Sequence, residues 1–159
     1  MVNVLDKVQP KNKEQLKSLI DYAFKHNIYD LNFIDTSKIT EMSNLFMNCE
    51  YDIDVSSWDV SNVTNMSGMF YNCEKFNCDL SNWDVSNVTN TAGMFYFCKN
   101  FDCDLSRWNV SNVKYMYLMF HNCKKFNSDT SNWNVTKAKS TLNMFAGCDK
   151  MTIPNWYKK

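Results

Sequence analysis

Hydrophobic positions along this 159-residue chain recur at a spacing of 25 residues. A fixed period between about 20 and 50 residues is typical of repeat proteins whose neighbouring repeats stack on one another. The positions that mark the period are four tryptophans, four phenylalanines and the cysteines that follow each phenylalanine: Trp58, Trp83, Trp108 and Trp133; Phe70, Phe95, Phe120 and Phe145; Cys73, Cys98, Cys123 and Cys148. Phe46 and Cys49 join these series at a spacing of 24. The sequence therefore predicts about five stacked coils.

Each coil begins with a two-residue alternation of hydrophobic and polar side chains. In residues 76–81, Phe76, Cys78 and Leu80 alternate with polar residues. Side chains of an extended chain point alternately to opposite faces, so this pattern predicts a short half-buried strand.

The spacing of hydrophobic residues then changes to that of a helix. Ser86 is placed to cap its N-terminus, and the helical stripe consists of Val88, Thr91, Met94, Phe95 and Cys98. Each coil is therefore predicted to contain one strand and one helix, which makes the fold an α/β solenoid. Since helices are wider than the spacing between strands, such a solenoid should curve with its strands on the concave side.

The chain ends predict caps. Asn12 followed by Gln15 resembles a capping box, and an apolar helical stripe follows through about residue 26: Leu16, Leu19, Ile20, Ala23 and Phe24. We therefore expect one domain, in which residues 1–28 form the N-terminal cap, residues 29–148 the repeats and residues 149–159 the C-terminal cap.

The repeat resembles that of the BspA-like leucine-rich-repeat proteins, a large bacterial family often found on cell surfaces. Two stretches carry the resemblance: MFYNCEKFNCDLSNWDVSNVTN, residues 69–90, and PKNKEQLKSLIDYAFKHNIYDLNFIDTSKITEMSNLF, residues 10–46. The resemblance implies a leucine-rich-repeat-like solenoid that binds or adheres to a macromolecule, has no enzymatic activity and is located on the cell surface or secreted. It names no ligand.

Composition and charge limit the classes of partner. Lys plus Arg and Asp plus Glu both number 17, so net charge gives no support for binding to nucleic acid or a membrane surface. No stretch is long and apolar enough to cross a membrane, and no secretory signal is recognisable, so the chain as written is expected in the cytoplasm. Seven cysteines, an odd number, favour free thiols in a reducing compartment. A monomer is expected.

Acidic residues recur at the outward positions of the predicted strands, where no Lys or Arg occurs: Asp52, Asp54, Asp79, Asp102, Asp104 and Asp129. These six residues are the predicted ligand-binding residues, and they should form an acidic concave face. Like charges that stack in neighbouring coils repel, so something should offset the repulsion. Three ways of offsetting the repulsion between carboxylates remain open: capping of turn N–H groups, bound Ca²⁺, or a basic protein partner. Asp52 and Asp102 are the better candidates for ligand contact, because other coils carry Asn in their slot.

Two further patterns allow a structural and a functional interpretation. Cys73, Cys78, Cys98 and Cys103 have a spacing compatible with a zinc site, but buried thiols that pack as small hydrophobic groups are favoured. The tryptophans could form a stacking platform for sugars or bases, but closure of each coil is favoured.

An aromatic flank is a second, weaker candidate surface. It consists of Tyr71, Tyr96, Tyr117 and His121. Aromatic residues with a polar end suit protein interfaces, although packing between neighbouring helices explains them equally well and is favoured.

No catalytic residue is predicted, since neither of the two histidines, His26 and His121, has a nucleophile in register. The sequence therefore predicts a non-enzymatic recognition or adhesion module whose acidic face binds a protein or host surface macromolecule, for example a basic one, with no cofactor. The alternative is a structural or assembly module stabilised by cations such as Ca²⁺.

Overall fold

The computed structural model describes residues 7–158 of the chain. That range contains one α-helix, α1 (Lys13–Lys25), and the Asn12 side chain caps it by accepting a hydrogen bond from the Gln15 N–H at 3.0 Å. The Gln15 side chain in turn accepts a hydrogen bond from the Lys11 N–H. The predicted N-terminal helix and its cap are therefore confirmed. Residues 1–6 and 159, which were assigned to the two caps, lie outside the described residues.

The apolar face of α1 packs against the first coil. Three side chains of this face are fully buried: Leu16, Ile20 and Ala23. The ring of Phe24 lies 6.4 Å from that of Phe46, and the Lys13 ammonium donates a hydrogen bond to the Ser43 hydroxyl at 2.9 Å. The helix therefore closes the N-terminal end of the stack.

Neighbouring coils are joined by isolated parallel β-bridges, and no strand is formed in residues 7–158. The bridges pair residues 24 to 26 positions apart, so equivalent residues of successive coils are neighbours: Val8–Ile34, Asp30–Asp54, Glu41–Asn65, Asn65–Asn90, Asn90–Tyr115 and Tyr115–Ser140. The coils therefore stack in register at the period of the sequence.

Backbone hydrogen bonds between coils concentrate in five eight-residue stretches, which we call ladder segments 1 to 5: residues 41–48, 65–72, 90–97, 115–122 and 140–147. In each of the first four segments, every second N–H donates to a carbonyl of the next segment. In segment 1 the donors are Met42, Asn44, Phe46 and Asn48, and the acceptors at 2.8–3.0 Å are Asn65, Ser67, Met69 and Tyr71. Most N–H groups between these donors close turns within their own segment.

The helix predicted for each coil is wrong. The fourth and eighth residues of every ladder segment have a left-handed backbone, and they are Asn44, Gly68, Gly93, Leu118 and Asn143 at the fourth position and Asn48, Asn72, Phe97, Asn122 and Gly147 at the eighth. A left-handed residue at every fourth position interrupts a right-handed helix. The expected cap, Ser86, instead donates its N–H to the Asp84 carboxylate in a turn.

The predicted strand is also wrong, although the alternation that suggested it is present. Phe76, Cys78 and Leu80 are buried, and the residues between them are exposed. The backbone of this stretch forms no ladder with the next coil, because the Leu80 N–H donates to the thiol sulfur of Cys103 at 3.1 Å. An extended chain alternates its side chains whether or not its backbone is paired.

The predicted α/β solenoid of the leucine-rich-repeat class is therefore wrong. The observed fold is a stack of coils built from turns. A concave acidic surface was predicted because helices are wider than strands, and the coils contain neither, so this prediction has no basis in the observed fold. The carboxylates are accordingly described below as an exposed acidic face.

Phenylalanine rings form a continuous stack through the core. Centroids of successive rings lie 5.4–5.8 Å apart and the rings are within 10° of parallel, in the series Phe46, Phe70, Phe95, Phe120 and Phe145. Offset stacking at such distances adds about 0.5–1.5 kcal/mol per pair beyond the burial of apolar area. The recurring phenylalanines therefore stabilise the contacts between coils through ring stacking.

The tryptophans lie beside this stack, and each fastens its coil to the preceding one. The side chains of Trp58, Trp83, Trp108 and Trp133 are only 3–5% exposed. Their indole N–H groups donate at 3.0–3.2 Å to the carbonyls of Leu31, Val55, Leu80 and Leu105. The structural interpretation of the tryptophans is confirmed, and the stacking platform is wrong.

Candidate functional site

The six predicted carboxylates lie on one exposed face, in two slots of the coil. One slot contains four of them, Asp54, Asp79, Asp104 and Asp129, and the slot two residues earlier contains Asp52 and Asp102. The structure brings them together in neighbouring coils, as the sequence predicts.

The four carboxylates of the first slot each close a turn. In every case Oδ1 accepts a hydrogen bond at 2.9 Å from the N–H of the serine two residues later, and the donors are Ser56, Ser81, Ser106 and Ser131. Aspartate commonly organises a turn in this way. The capping role considered for this series is therefore confirmed, and one oxygen of each carboxylate is engaged within the coil.

The turn hydrogen bonds also keep this slot negatively charged. The hydrogen bond from the Ser56 N–H lowers the pKa of Asp54 to about 2. Equivalent hydrogen bonds lower the pKa values of Asp79, Asp104 and Asp129, although the charge of Asp104 acts in the opposite direction on both its neighbours. Donation to the charged form outweighs like-charge repulsion here. The carboxylates are therefore ionised at neutral pH.

Asp52 and Asp102 differ from the turn-closing carboxylates. Within residues 7–158 their side chains have no hydrogen-bond or ion-pair partner. The backbone N–H of Asp102 donates to the Asn77 side-chain oxygen at 2.8 Å, so the coil is held at this point without using the carboxylate. Both oxygens of Asp52 and Asp102 are therefore open to a ligand.

Two neighbouring clefts open on the acidic face. The larger has a volume of about 450 Å³, and its carboxylates are Asp79, Asp102 and Asp104. The smaller has a volume of about 320 Å³, and its carboxylates are Asp30, Asp52, Asp54 and Asp79. Since Asp79 lines both clefts, they form one acidic tract across successive coils.

One basic residue borders the larger cleft, and sequence analysis missed it. Arg107 follows the outward positions in the adjoining turn, where other coils have Ser or Asn. Hydrogen bonding from Ser106 lowers the pKa of Asp104, and the Arg107 guanidinium adds to that effect. The departure of Arg107 from the repeat was the available signal in the sequence.

Two thiols, Cys78 and Cys103, also line the larger cleft. Burial raises the pKa of Cys78 to about 12 and that of Cys103 to about 11, so both are protonated at neutral pH. The cysteines are free and all except the half-buried Cys148 are buried, which confirms their interpretation as buried thiols. Protonated thiols are poor nucleophiles and poor metal ligands.

Metal-binding geometry is absent from the part of the chain that the structure describes. Between residues 7 and 158, no three His, Cys, Asp or Glu side chains are arranged to hold a metal ion. The zinc spacing considered for the cysteines therefore does not form a site.

The predicted aromatic flank separates into a stack and an exposed residue. Tyr71 stacks on Tyr96 at 4.4 Å, and Tyr96 stacks on His121 at 5.0 Å, with both pairs within 12° of parallel. Packing between neighbouring coils therefore explains these three rings. The elements that pack are turns, whereas the sequence predicted helices. Tyr117 is 41% exposed and remains a surface residue.

Two bulky residues beside this stack occupy a backbone conformation that favours Gly or Asn. Phe97 has φ of 59° and Leu118 has φ of 58°, where the other ladder segments have only Gly or Asn. The Phe97 ring lies 4.7 Å from that of Tyr96. Sequence analysis missed both residues because it placed them in a helix.

Comparison with known proteins gives a family. The family model described as "Mycoplasma protein of unknown function, DUF285" matches residues 14–104 and 40–156. Neither a curated protein nor a solved structure matches the chain significantly. Within residues 7–158, α1 falls short of the length and apolar character that a membrane-crossing helix requires.

Proposed function

This chain belongs to the DUF285 family, a family of unknown function, and we propose from its geometry that it is a non-enzymatic module that recognises a basic protein partner through the acidic face. One observation carries the proposal. Carboxylates recur in register along successive coils, and identical turn hydrogen bonds fix the four in the first slot.

A fixed row of charges is suited to recognition because little ordering is needed on binding. Groups that are already held in place avoid part of the entropy cost of association. A tract of one charge sign also steers an oppositely charged partner toward it and raises the association rate. Lys and Arg side chains of a partner could reach Asp52 and Asp102, whose carboxylates have no partner in the described part of the chain.

The chemistry of the larger cleft favours binding over catalysis. Its carboxylates have lowered pKa values or open oxygens, and its two thiols are protonated. A general acid or base is most effective when its pKa is near the operating pH, and Asp79, Asp104, Cys78 and Cys103 are all shifted away from neutrality.

The resemblance to BspA-like proteins supports a cell-surface location for the proposed binding. Relatives of that kind are often found on bacterial cell surfaces, so we extend the proposal to adhesion to a host surface macromolecule that presents basic residues. The leucine-rich-repeat part of that resemblance is not retained, because the coils contain turns in place of strands and helices.

The proposal is tested by removing charge without removing turns. Asn109 closes an equivalent turn elsewhere in the coil, since its side-chain oxygen accepts the Ser111 N–H at 3.2 Å. A triple variant with Asp79→Asn, Asp102→Asn and Asp104→Asn should therefore retain its fold. Its affinity for a fluorescent oligolysine peptide should fall about tenfold or more, which corresponds to a loss of about 1.4 kcal/mol.

A matched control removes one carboxylate of the other turn series. Asp84→Asn changes a residue whose carboxylate closes the Ser86 turn and which does not line either cleft. It should leave oligolysine affinity nearly unchanged. Equal affinities for the wild type and the triple variant, both with unchanged melting temperatures, would exclude the acidic face as the binding surface.

A further inference from the structure

Ladder segments 3 and 4 form an aromatic surface without charged side chains. Neither segment contains an Asp, Glu, Lys or Arg residue. Tyr115 is 39% exposed and Tyr117 is 41% exposed, whereas the positions equivalent to Tyr117 in segments 1 to 3 have only Ser or Ala. We call these two tyrosines and four half-buried neighbours the aromatic patch, which consists of Tyr96, Phe97, Tyr115, Tyr117, Leu118 and His121.

The stacked rings of the patch cover one another's faces. Tyr96 lies between Tyr71, at 4.4 Å, and His121, at 5.0 Å. The Phe97 ring lies 4.7 Å from that of Tyr96 and 6.0 Å from that of His121. Ring faces that are engaged in this way are not available for stacking by nucleic-acid bases. The patch therefore presents ring edges and aliphatic carbons, which suit contact with the side chains of a protein.

Leu118 supplies an aliphatic contact within the patch. The equivalent position in segment 3 is Gly93. A Cβ added at Gly93 would lie 3.7 Å from the Tyr71 ring and 4.0 Å from the Tyr96 Cβ. The repeat therefore places the Leu118 side chain against the next two rings of the stack, which are those of Tyr96 and His121.

Three unfavourable features coincide in the patch. Phe97 and Leu118 have φ of 59° and 58°, a conformation that bulky residues rarely adopt. The Nδ1 atom of His121 is buried and has no hydrogen-bond partner within the described residues. Strained residues that the surrounding structure enforces cluster at binding sites. Formation of the turns does not require Phe97 or Leu118, because Gly or Asn occupies their positions in the other segments.

Lysines border the patch on both sides. Two of them precede segments 4 and 5 at a position where the three earlier coils have Thr, and three follow segments 3 and 4: Lys114 and Lys139; Lys99, Lys124 and Lys125. The Lys99 ammonium lies 5.9 Å from the centroid of the Phe97 ring. Within residues 7–158, carboxylates pair with Lys99 and Lys124 but with none of the other three. The border of the patch therefore carries uncompensated positive charge.

We propose that the aromatic patch is a docking surface for an acidic segment of a partner protein that carries large apolar side chains. Its apolar side chains would pack on Tyr117 and Leu118, and its carboxylates would pair with lysines such as Lys114. Charge complementarity identifies the occupant as acidic, because the patch is uncharged and its border is positive. Exposed tyrosines are also typical of the residues that contribute most to protein interfaces. The acidic face has the opposite charge, so this surface is independent of the function proposed above.

The probe is a short fluorescein-labelled peptide in which Glu and Asp alternate with Phe and Leu. The test variant combines Tyr117→Ala with Leu118→Gly, which gives segment 4 the residues that segment 3 has at Ala92 and Gly93, so it should retain the fold. Fluorescence anisotropy should show that the Kd of the peptide rises about tenfold or more, because the apolar contacts are removed.

A second variant tests the charge separately. Lys114→Thr introduces the residue that Thr89 provides in the preceding coil and leaves the apolar contacts in place. It should raise the Kd of the peptide about threefold and weaken the dependence of binding on salt. Thermal unfolding of both variants verifies that they are folded.

Two controls address binding elsewhere on the molecule. Tyr22→Ala removes a tyrosine of α1 that is 60% exposed and lies outside the patch, and it should leave the Kd of the peptide unchanged. The triple Asp→Asn variant of the acidic face should bind the peptide at least as tightly as the wild type, because it changes a different surface.

Equal affinities of the wild type and the Tyr117→Ala, Leu118→Gly variant would overturn the proposal. Equal binding of a peptide in which Ser replaces every Phe and Leu would also overturn it, because lysine charge alone would then explain the affinity. Tighter binding of an oligothymidylate than of the peptide would identify a nucleic acid as the occupant. Self-association of the free chain that the double variant abolishes would identify a second copy, and either result would contradict the proposal.

Discussion

At the scale of single residues, the coils are held by a small set of side-chain hydrogen bonds to the backbone. Each indole N–H reaches a carbonyl of the preceding coil, and thiols do the same: Cys73, Cys98, Cys123 and Cys148 donate at 2.9 Å to the carbonyls of Phe46, Phe70, Phe95 and Phe120. Each of these carbonyls also accepts a backbone N–H within its own coil, so the side-chain donor fills the second acceptor position of the carbonyl and ties one coil to the next. Tryptophan and cysteine therefore recur because of backbone chemistry as well as burial.

Substitution of Trp83 tests this double role. Trp83→Ala should lower the free energy of unfolding by about 3–5 kcal/mol, because it removes a buried ring and one of the two hydrogen bonds that the Val55 carbonyl accepts. Trp83→Phe keeps most of the apolar volume and removes only the indole hydrogen bond, while the Val55 carbonyl still accepts the Trp58 N–H, so it should cost about 0.5–1.5 kcal/mol. Chemical denaturation measures both. A Trp83→Phe variant as stable as the wild type would show that the indole hydrogen bond contributes nothing.

At the scale of elements, the sequence predicts burial better than backbone conformation. The alternation at Phe76, Cys78 and Leu80 identifies the buried side chains, but it does not reveal that these backbone groups bond to side chains of the next coil. Likewise, the apparent helical stripe arises because turns of a ladder segment also return residues to the core. Gly93 was the contrary signal, since glycine in a helix interior is unfavourable and here it has φ of 60°.

Substitution of Gly93 distinguishes a helix from the observed left-handed turn, because the two predict stability changes of opposite sign. In a helix, Gly93→Ala would stabilise the protein by about 1 kcal/mol. In the observed left-handed conformation it should destabilise by about 1–2 kcal/mol through strain alone, because an added Cβ would come no closer than 3.7 Å to the Tyr71 ring. Gly93→Asn is the matched control and should cost less, since Asn44 and Asn143 adopt this conformation. Thermal unfolding distinguishes the variants, and a more stable Gly93→Ala variant would refute the turn.

At the scale of the whole molecule, the 25-residue recurrence predicts which residues are neighbours but not how the stack ends. The acidic face could be located from the sequence because its carboxylates share two slots of the repeat. Arg107 could also have been noticed, because it departs from the Ser or Asn of the other coils, but the strained backbone of Phe97 could not, because it depends on turn geometry that departs from a strand or a helix. Family membership adds no functional residue, so the proposals depend on the geometry.

Site-resolved hydrogen exchange of the free protein tests the stack most directly. The amides at the four donor positions of ladder segments 1 to 4, from Met42 to Asn122, are bonded to the following segment and should be protected. The equivalent amides of Thr141, Asn143, Phe145 and Gly147 should exchange much faster, because no following segment is present within the described residues. Equal protection in segment 5 and in the four segments before it would contradict the account, since it would place the acceptors within each coil, as in a helix.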